Sequence, residues 1–520
     1  MARKLHRIIR AINPPLIFVN VLQLNPVVFA ALSGAVAVAG FAPSYLFPLP
    51  VLALALLFYL WGQARNGRNA AWLGFGFGVG FFSAGISWIY VALHDFGHMP
   101  TALALIATLL FAAFLALFPA AAGYLQSRIK LPPIFKAMLL LPALWVGMEL
   151  LRGYLFTGFP WLTLGYSQVP ASPLLGYAAV LGVYGVSLAL ATSAGLLTLL
   201  LQYRWTRQGR MAAAMLMAIW FGGAILQQVE WTKPIGEAIK VSLLQGNIEQ
   251  GDKFEEAQFV NTLETYRRLA EQSDTRLIVF PETALPLLRE NLPERYADIL
   301  RQQARQNAGD ILIGSFEQAG GRFYNSVFSL GSASEQVYRK NHLVPFGEFI
   351  PLRAALGWLI NDVLDIPMSD LARGGAQQPV LDVAGQRVAV NICYEDVFGE
   401  EIIRALPQAT LLVNVSNDAW YGESHAAIQH NQISQMRAVE TGRMMLRATN
   451  TGVTSVIDRN GQVLKMLAQH EEGVLTTTVQ GYAGSTPYVR WGNWAVLIVL
   501  SAMLFAVWWG RKKTVVGEVA

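Results

Sequence analysis

The sequence predicts a membrane α-helical bundle of eight transmembrane helices carrying a separate α/β domain, on three observations. Hydrophobic residues make up 54% of the 520-residue chain and charged ones only 14%, where soluble domains carry about 25%. The deficit is concentrated in long, nearly uncharged runs, while residues 231–480 have the composition of a soluble protein. Within that second part, short β-branched runs alternate with amphipathic stretches.

A helix needs about 20 apolar residues to cross a bilayer. Runs that meet or approach this lie at 25–43, 44–63, 72–92, 101–125, 137–152, 174–202, 211–229 and 491–509. The fifth is short, and the first two are joined through Pro43 and Pro48. The chain thus divides into a leading segment 1–24, a seven-helix bundle 25–230, a polar domain 231–486, and a last span with its tail, 487–520.

Basic residues mark alternate loops: Arg3, Lys4, Arg7 and Arg10 before the first span, then Arg65 and Arg68, then Arg128, Lys130 and Lys136. Arg204, Arg207 and Arg210 follow the sixth span, and Arg511, Lys512 and Lys513 follow the last. Loops 93–100 and 153–173 carry no Lys or Arg. The positive-inside rule then places both termini in the cytoplasm and the polar domain outside. The small-residue run 35–39 resembles a signal-peptide cleavage region, but is expected to belong to an uncleaved first span. The net charge of +5 therefore encodes topology rather than nucleic-acid binding. Glu149 and Arg152, near a span end, are expected to snorkel, which leaves little support for a transport path.

In the polar domain, strands are expected at 239–245, 276–281, 310–315, 323–330, 387–394, 410–416, 452–458 and 473–479. Helices are expected at 256–272, 293–307, 398–405 and 427–444. This interleaving describes a layered α/β domain with helices on at least one sheet face. Cys393 is the only cysteine, so neither an internal disulfide nor a cysteine-built zinc site can form.

Three strand-end segments concentrate reactive side chains: Phe280-Pro281-Glu282-Thr283, residues 338–343 with Lys340, and Asn391-Ile392-Cys393-Tyr394-Glu395-Asp396. Catalytic groups gather at such ends in α/β sheets, where side chains leave the core. Each also has an ordinary use. Glu282 could cap a helix, Lys340 could be a solvated lysine, and Cys393 could be a small buried hydrophobe.

Taken in order, PET (281–283), YRKNHLVPFGEF (338–349) and NICYED (391–396) resemble the nitrilase superfamily of carbon-nitrogen hydrolases, with its Glu–Lys–Cys triad. With the eight-span layout and the segments GFPWLTLGYSQ (158–168), SNDAWYG (416–422) and QMRAVETGRMMLRATNTGVT (435–454), the chain more closely resembles the bacterial apolipoprotein N-acyltransferase family. The resemblance implies a nitrilase-like αββα sandwich in an inner-membrane protein acting as a monomer, without metal or other cofactor. It also implies a reaction. A membrane phospholipid would be the acyl donor and the N-terminal amine of a diacylglyceryl apolipoprotein the acceptor, through a thioester on Cys393.

By that resemblance, Glu282 is the general base and Lys340 the cation facing the tetrahedral oxyanion. The N–H of Tyr394 is a plausible second donor. Glu348 corresponds to a second family glutamate, and Glu395 is expected to orient the site, although either could be a capping or solvated acid. Phe159, Trp161, Trp420 and Tyr421 are expected as exposed aromatics that help acyl chains leave the bilayer, or else as an interfacial belt. Phe254 stands where the family often has tryptophan, which puts any indole hydrogen bond there in doubt. Two other functions compete: a membrane-anchored amidase, which would pass the acyl group to water, and a transporter with a sensing domain.

Overall fold

The computed structural model describes residues 25–251, 253, 256–350 and 370–517. The basic N-terminal segment and Phe254 lie outside the described residues. All eight apolar runs are helical: α1 (Pro26–Ala37), α2 (Pro48–Gln63), α3 (Gly67–Gly85), α4 (Thr101–Ser127), α5 (Leu141–Tyr154), α6 (Ala178–Tyr203) and α7 (Arg207–Leu226) precede the polar domain, and the last (Trp494–Gly517) follows it.

Among the described residues, membrane-length helices are fewer than eight. Among the described residues, four helical stretches are long and apolar enough to cross: Thr101–Ser127, Pro133–Thr157, Pro173–Tyr203 and Arg207–Leu226. Gly67–Gly85 with Trp88–Phe96, bent by 54°, makes a fifth, while Pro26–Gly40, Pro48–Gln63 and Trp494–Gly510 are apolar but shorter. The fifth run is longer than the sequence suggested, extending at both ends to Pro133–Thr157.

Glycines bring the bundle's backbones into contact. A Cβ on Gly80 of α3 would lie 1.8 Å from the Ala31 carbonyl oxygen of α1, and one on Gly74 would lie 2.3 Å from that of Pro119 in α4. Hydrocarbon gives helices no hydrophobic reason to associate, so close packing at small residues substitutes for it.

The polar domain has two sheets. The first contains β1 (Thr232–Gln245), β2 (Leu277–Val279), β3 (Leu285–Leu288), β4 (Asp310–Ala319), β5 (Arg322–Gly331) and β6 (Val337–Arg339). The second contains β7 (Leu381–Val383), β8 (Gln386–Ile392), β9 (Leu411–Ser416), β10 (Met445–Thr449), β11 (Ser455–Ile457) and β12 (Val463–Met466). A final strand, β13 (Gly473–Gly484), returns to the edge of the first sheet beside β1, giving the order β13-β1-β2-β4-β5-β6 with β3 on β4. The second sheet runs β12-β11-β10-β9-β8-β7. Strands β1, β2 and β4 pair in parallel, as do β8, β9 and β10.

The apolar side chains define four layers. Val241, Leu243 and Val279 of one sheet meet Val390, Val413 and Leu446 of the other. Ile278 and Ile311 point the opposite way, onto helices 256–271 and 294–306 through Tyr266 and Leu300. Leu412 and Met445 similarly meet Ala438 of helix Ala426–Thr441. Alternation along buried strands thus turns each sheet into a two-faced layer, and the domain is an αββα sandwich.

The eight expected strands are present, with shifted ends. Helix 427–444 stops earlier than expected, at Thr441, where Gly442 adopts φ +63° and ends it. Residues 445–449 instead become a central strand. Strand β10 and the short strands β3, β6, β7 and β12 match no expected strand; the four short ones have three or four residues each, too few to show a period by themselves.

Candidate active site

Three chain reversals bring the reactive side chains together. Strand β2 ends at Val279 and delivers Glu282; β6 ends at Arg339 and delivers Lys340; β8 ends at Ile392 and delivers Cys393. Lys340, only 1% exposed, donates to Glu282 Oε1 at 3.2 Å and to Glu348 Oε1 at 2.9 Å. Asn325 of β5 donates to the same two carboxylates, at 2.7 and 3.1 Å. Glu282 Oε2 accepts the backbone N–H of Asn417, just beyond β9, at 2.8 Å. Glu348 Oε2 accepts from the Val344 N–H at 2.9 Å.

Cys393 opens a tight 3₁₀ turn with φ +52°, a left-handed conformation that costs a non-glycine residue on the order of 1–3 kcal/mol. Tyr394 is the second residue of that turn, so its N–H is among the donors that a helix start leaves free. Burial pushes the Cys393 thiol up, the Glu282 carboxylate pushes it further, and the Lys340 ammonium opposes both. Burial pulls Lys340 down, yet Glu282, Glu348 and Cys393 together hold it well above the usual lysine range. The cluster therefore sets a buried thiol beside an acid and a lysine whose charged form its neighbours favour. The hydrogen bonds of Glu282 go to Lys340, Asn325 and Asn417, and it acts on the thiol through its charge.

Glu395 is buried and serves as a clamp. Its Oε2 accepts from the Ile392 N–H (2.7 Å) and the Tyr338 hydroxyl (2.8 Å), and its Oε1 from the N–H groups of Asn341 (2.6 Å) and His342 (3.0 Å). One carboxylate thereby joins the turn carrying Cys393 to the segment carrying Lys340. Burial raises the Glu395 pKa, while the three backbone donors and Lys340 oppose that rise.

The membrane side closes over this cluster. Tyr394 donates to the Gly158 carbonyl at 3.0 Å, Trp161 Nε1 to Gln429 Oε1 at 2.8 Å, and Gln432 Nε2 to the Val169 carbonyl at 3.0 Å. Trp161 is 2% exposed, so the expectation of an exposed aromatic is corrected there: it packs between Trp88 and His430. Phe159, Trp420 and Tyr421 are half-buried, and Tyr421 packs edge-on against Trp88. The expectation that Glu149 and Arg152 snorkel is likewise overturned. Both are buried beneath the same loop, where Arg152 donates to the carbonyls of Phe159 and Trp161 and Glu149 accepts from the Leu164 N–H at 2.9 Å. Unpaired carbonyls inside a membrane bundle are costly, and a buried guanidinium satisfies several at once.

Two neighbours were missed in the sequence. Lys253, buried in the loop after β1, donates to the Glu282 carbonyl at 3.3 Å, and burial lowers its pKa to about 8. It stands in a polar stretch that reads as an ordinary loop. Asn325 occupies the middle of a strand, where asparagine is depleted, and that oddity could have marked it. Among the described residues, no group of three or more His, Cys, Asp and Glu side chains is placed to hold a metal ion.

Comparison with known proteins bears on both halves. Residues 33–196 match the family model described as the apolipoprotein N-acyltransferase N-terminal domain, and residues 240–488 match that of carbon-nitrogen hydrolases. The apolipoprotein N-acyltransferase of Nitrosomonas europaea is 52% identical over 92% of this chain and 97% of its own. Those of Chromobacterium violaceum and Methylococcus capsulatus are 43% and 42% identical, each over 91% of this chain and 92% and 94% of their own.

Proposed function

From the premise that the chain belongs to the apolipoprotein N-acyltransferase family, we propose that it moves an acyl chain from a membrane phospholipid to the N-terminal amine of a diacylglyceryl-cysteine on apolipoproteins, through a thioester on Cys393. The observation that carries the mechanism is Lys340 held between Glu282 and Glu348 beside a buried, left-handed Cys393.

A thiol raised by burial stays protonated at rest, so a base must take its proton as it attacks. Glu282 fills that role. Sulfur bonds to the ester carbonyl carbon, and the thiol proton passes to Glu282. The oxyanion that forms faces the Lys340 ammonium and the Tyr394 N–H; losing one such donor typically costs about 2.7–4 kcal/mol. Collapse breaks the carbon–oxygen ester bond, and the departing glycerol oxygen takes the proton from Glu282, leaving a lysophospholipid and the thioester. The incoming amine then attacks the thioester and gives its proton to Glu282; carbon–sulfur cleavage and return of that proton regenerate the thiol. Glu348 holds Lys340 in place, and Glu395 fixes the two strand ends relative to each other. Closure by the membrane loop keeps water from the thioester.

The same reading takes the eight apolar helices as eight crossings. Both termini are then cytoplasmic and the domain periplasmic, in a monomer of the inner membrane. A periplasmic reporter inserted near residue 320 should be active, and a silent one refutes the orientation. The chemistry is tested by incubating the protein with phospholipid and weighing it. One acyl increment is expected on Cys393, discharged by an amine-bearing lipopeptide. Discharge by water at the same rate would make the protein an amidase.

A further inference from the structure

We propose that His430 is a positioning residue for Cys393, fixing the carbonyl of the left-handed turn from behind, with Asp418 as its support. The proposal rests on the reading of Cys393 as the nucleophile and concerns how that nucleophile is held.

A residue at φ +52° stays there only if its surroundings over-determine it. The Cys393 carbonyl meets two donors inside the domain: Asn414 Nδ2 of β9 at 3.2 Å and His430 Nε2 at 3.2 Å. A carbonyl only accepts, so Nε2 is the donor. The other ring nitrogen, Nδ1, faces Asp418 Oδ1 at 3.0 Å, and Asp418 Oδ2 accepts from Arg447 Nη2 at 2.7 Å. Arg447 also donates to Asn414 Oδ1 at 2.6 Å, so the two donors to the Cys393 carbonyl share one anchor. All of these side chains are buried. Although burial opposes it, Arg447 and His430 hold the Asp418 carboxyl well below the usual carboxylate range.

None of these side chains hydrogen-bonds Glu282, Lys340 or Glu348, although the Asp418 charge also acts on the Cys393 thiol. The cluster is also tied to the membrane side. The Trp161 ring lies 5.4 Å from that of His430, and its indole N–H binds Gln429, one residue earlier in the same helix. A side chain at 430 that lost its reach to Cys393 would free the carbonyl and let the turn relax, moving the sulfur.

Two substitutions separate the contacts. His430→Gln carries an amide donor out to the position of Nε2 and can still bind the Cys393 carbonyl. His430→Asn reaches only as far as Nδ1, so it can bind Asp418 but not Cys393. Acyl-enzyme formation from phospholipid is followed by mass spectrometry in single turnover on the full-length protein, with Cys393→Ala as the blank and melting temperature recorded for each variant. The acylation rate of His430→Asn is expected to fall about 10- to 100-fold with KM for phospholipid unchanged, the span of a buried carbonyl losing a donor. His430→Gln should remain within a few-fold of wild type. Equal rates in both variants, whether slow or normal, overturn the proposal. Labelling that persists in Cys393→Ala overturns the nucleophile itself, and the proposal with it.

Discussion

Replacing Glu395 by glutamine changes one atom and leaves the shape of the side chain intact, so its effect isolates the clamp between the two strand ends. The carboxylate accepts from Ile392, Tyr338, Asn341 and His342. Glutamine keeps one accepting oxygen and puts an amide N–H₂ in place of the other. The least costly orientation leaves the oxygen on Asn341 and His342. The Tyr338 hydroxyl can then turn to accept, but the Ile392 N–H faces another donor. An orphaned buried N–H costs about 1–3 kcal/mol, and each retained bond that loses its charge weakens by about 1 kcal/mol. Relief of the carboxylate's burial offsets part of this, leaving a net loss of roughly 2–4 kcal/mol. The strain falls on Ile392, the neighbour of Cys393, while the bond to Asn341 beside Lys340 weakens. The acylation rate should therefore drop about 100-fold, comparable to losing an oxyanion donor. Thermal unfolding in detergent and single-turnover acylation read the two effects. A Glu395→Gln protein that melts and acylates like wild type refutes the clamp.

Other perturbations test separate contacts. Cys393→Ala should abolish transfer, and Cys393→Ser nearly so, because a hydroxyl gives up its proton less readily than a thiol. Arg152→Met should lower thermal stability by about 3–5 kcal/mol, since it strands two carbonyls and leaves the buried Glu149 uncompensated; a snorkelling arginine would give almost no change. Glu440 accepts from the Val183 N–H at 2.6 Å, where helix α6 breaks at Gly182, and pairs with Arg437 at 3.0 Å. Burial raises its pKa from the ordinary 4.5 to about 7, against the pull of Arg437. Between those values the folded chain keeps a proton that the unfolded chain has released. The Glu440 contribution to stability therefore falls as pH rises through that window and levels off above about 7. Melting temperatures from pH 5 to 8 should show this decline in wild type and a flatter profile in Glu440→Gln.

Local pattern made much of the architecture legible. Apolar runs set the positions of the helices, because the bilayer demands length and an absence of charge whatever the neighbours are. Alternating β-branched runs located eight strands of the domain but missed the central β10, Met445–Thr449. The motifs carrying Glu282, Lys340 and Cys393 were visible as chemistry placed at strand ends. What local pattern could not supply was partnership. Glu149 and Arg152 read as ordinary charges at a span end, and only folding the 158–168 loop over them gives them carbonyls and N–H groups to satisfy. Trp161 read as a surface aromatic and is buried against His430. Lys253 and His430 lie, respectively, about 30 residues before Glu282 and 37 after Cys393, distances that no periodicity spans.

The sequence by itself determined that this chain joins a membrane bundle to a layered α/β domain with a single thiol, because hydropathy and periodicity act within one element; the αββα stacking was implied only by the family resemblance. Tertiary structure alone decided which buried charges face one another: Lys340 between two glutamates, and Asp418 behind His430. A charge removed from water needs a partner at hydrogen-bond distance, and that partner comes from whichever distant strand or helix the packing brings alongside.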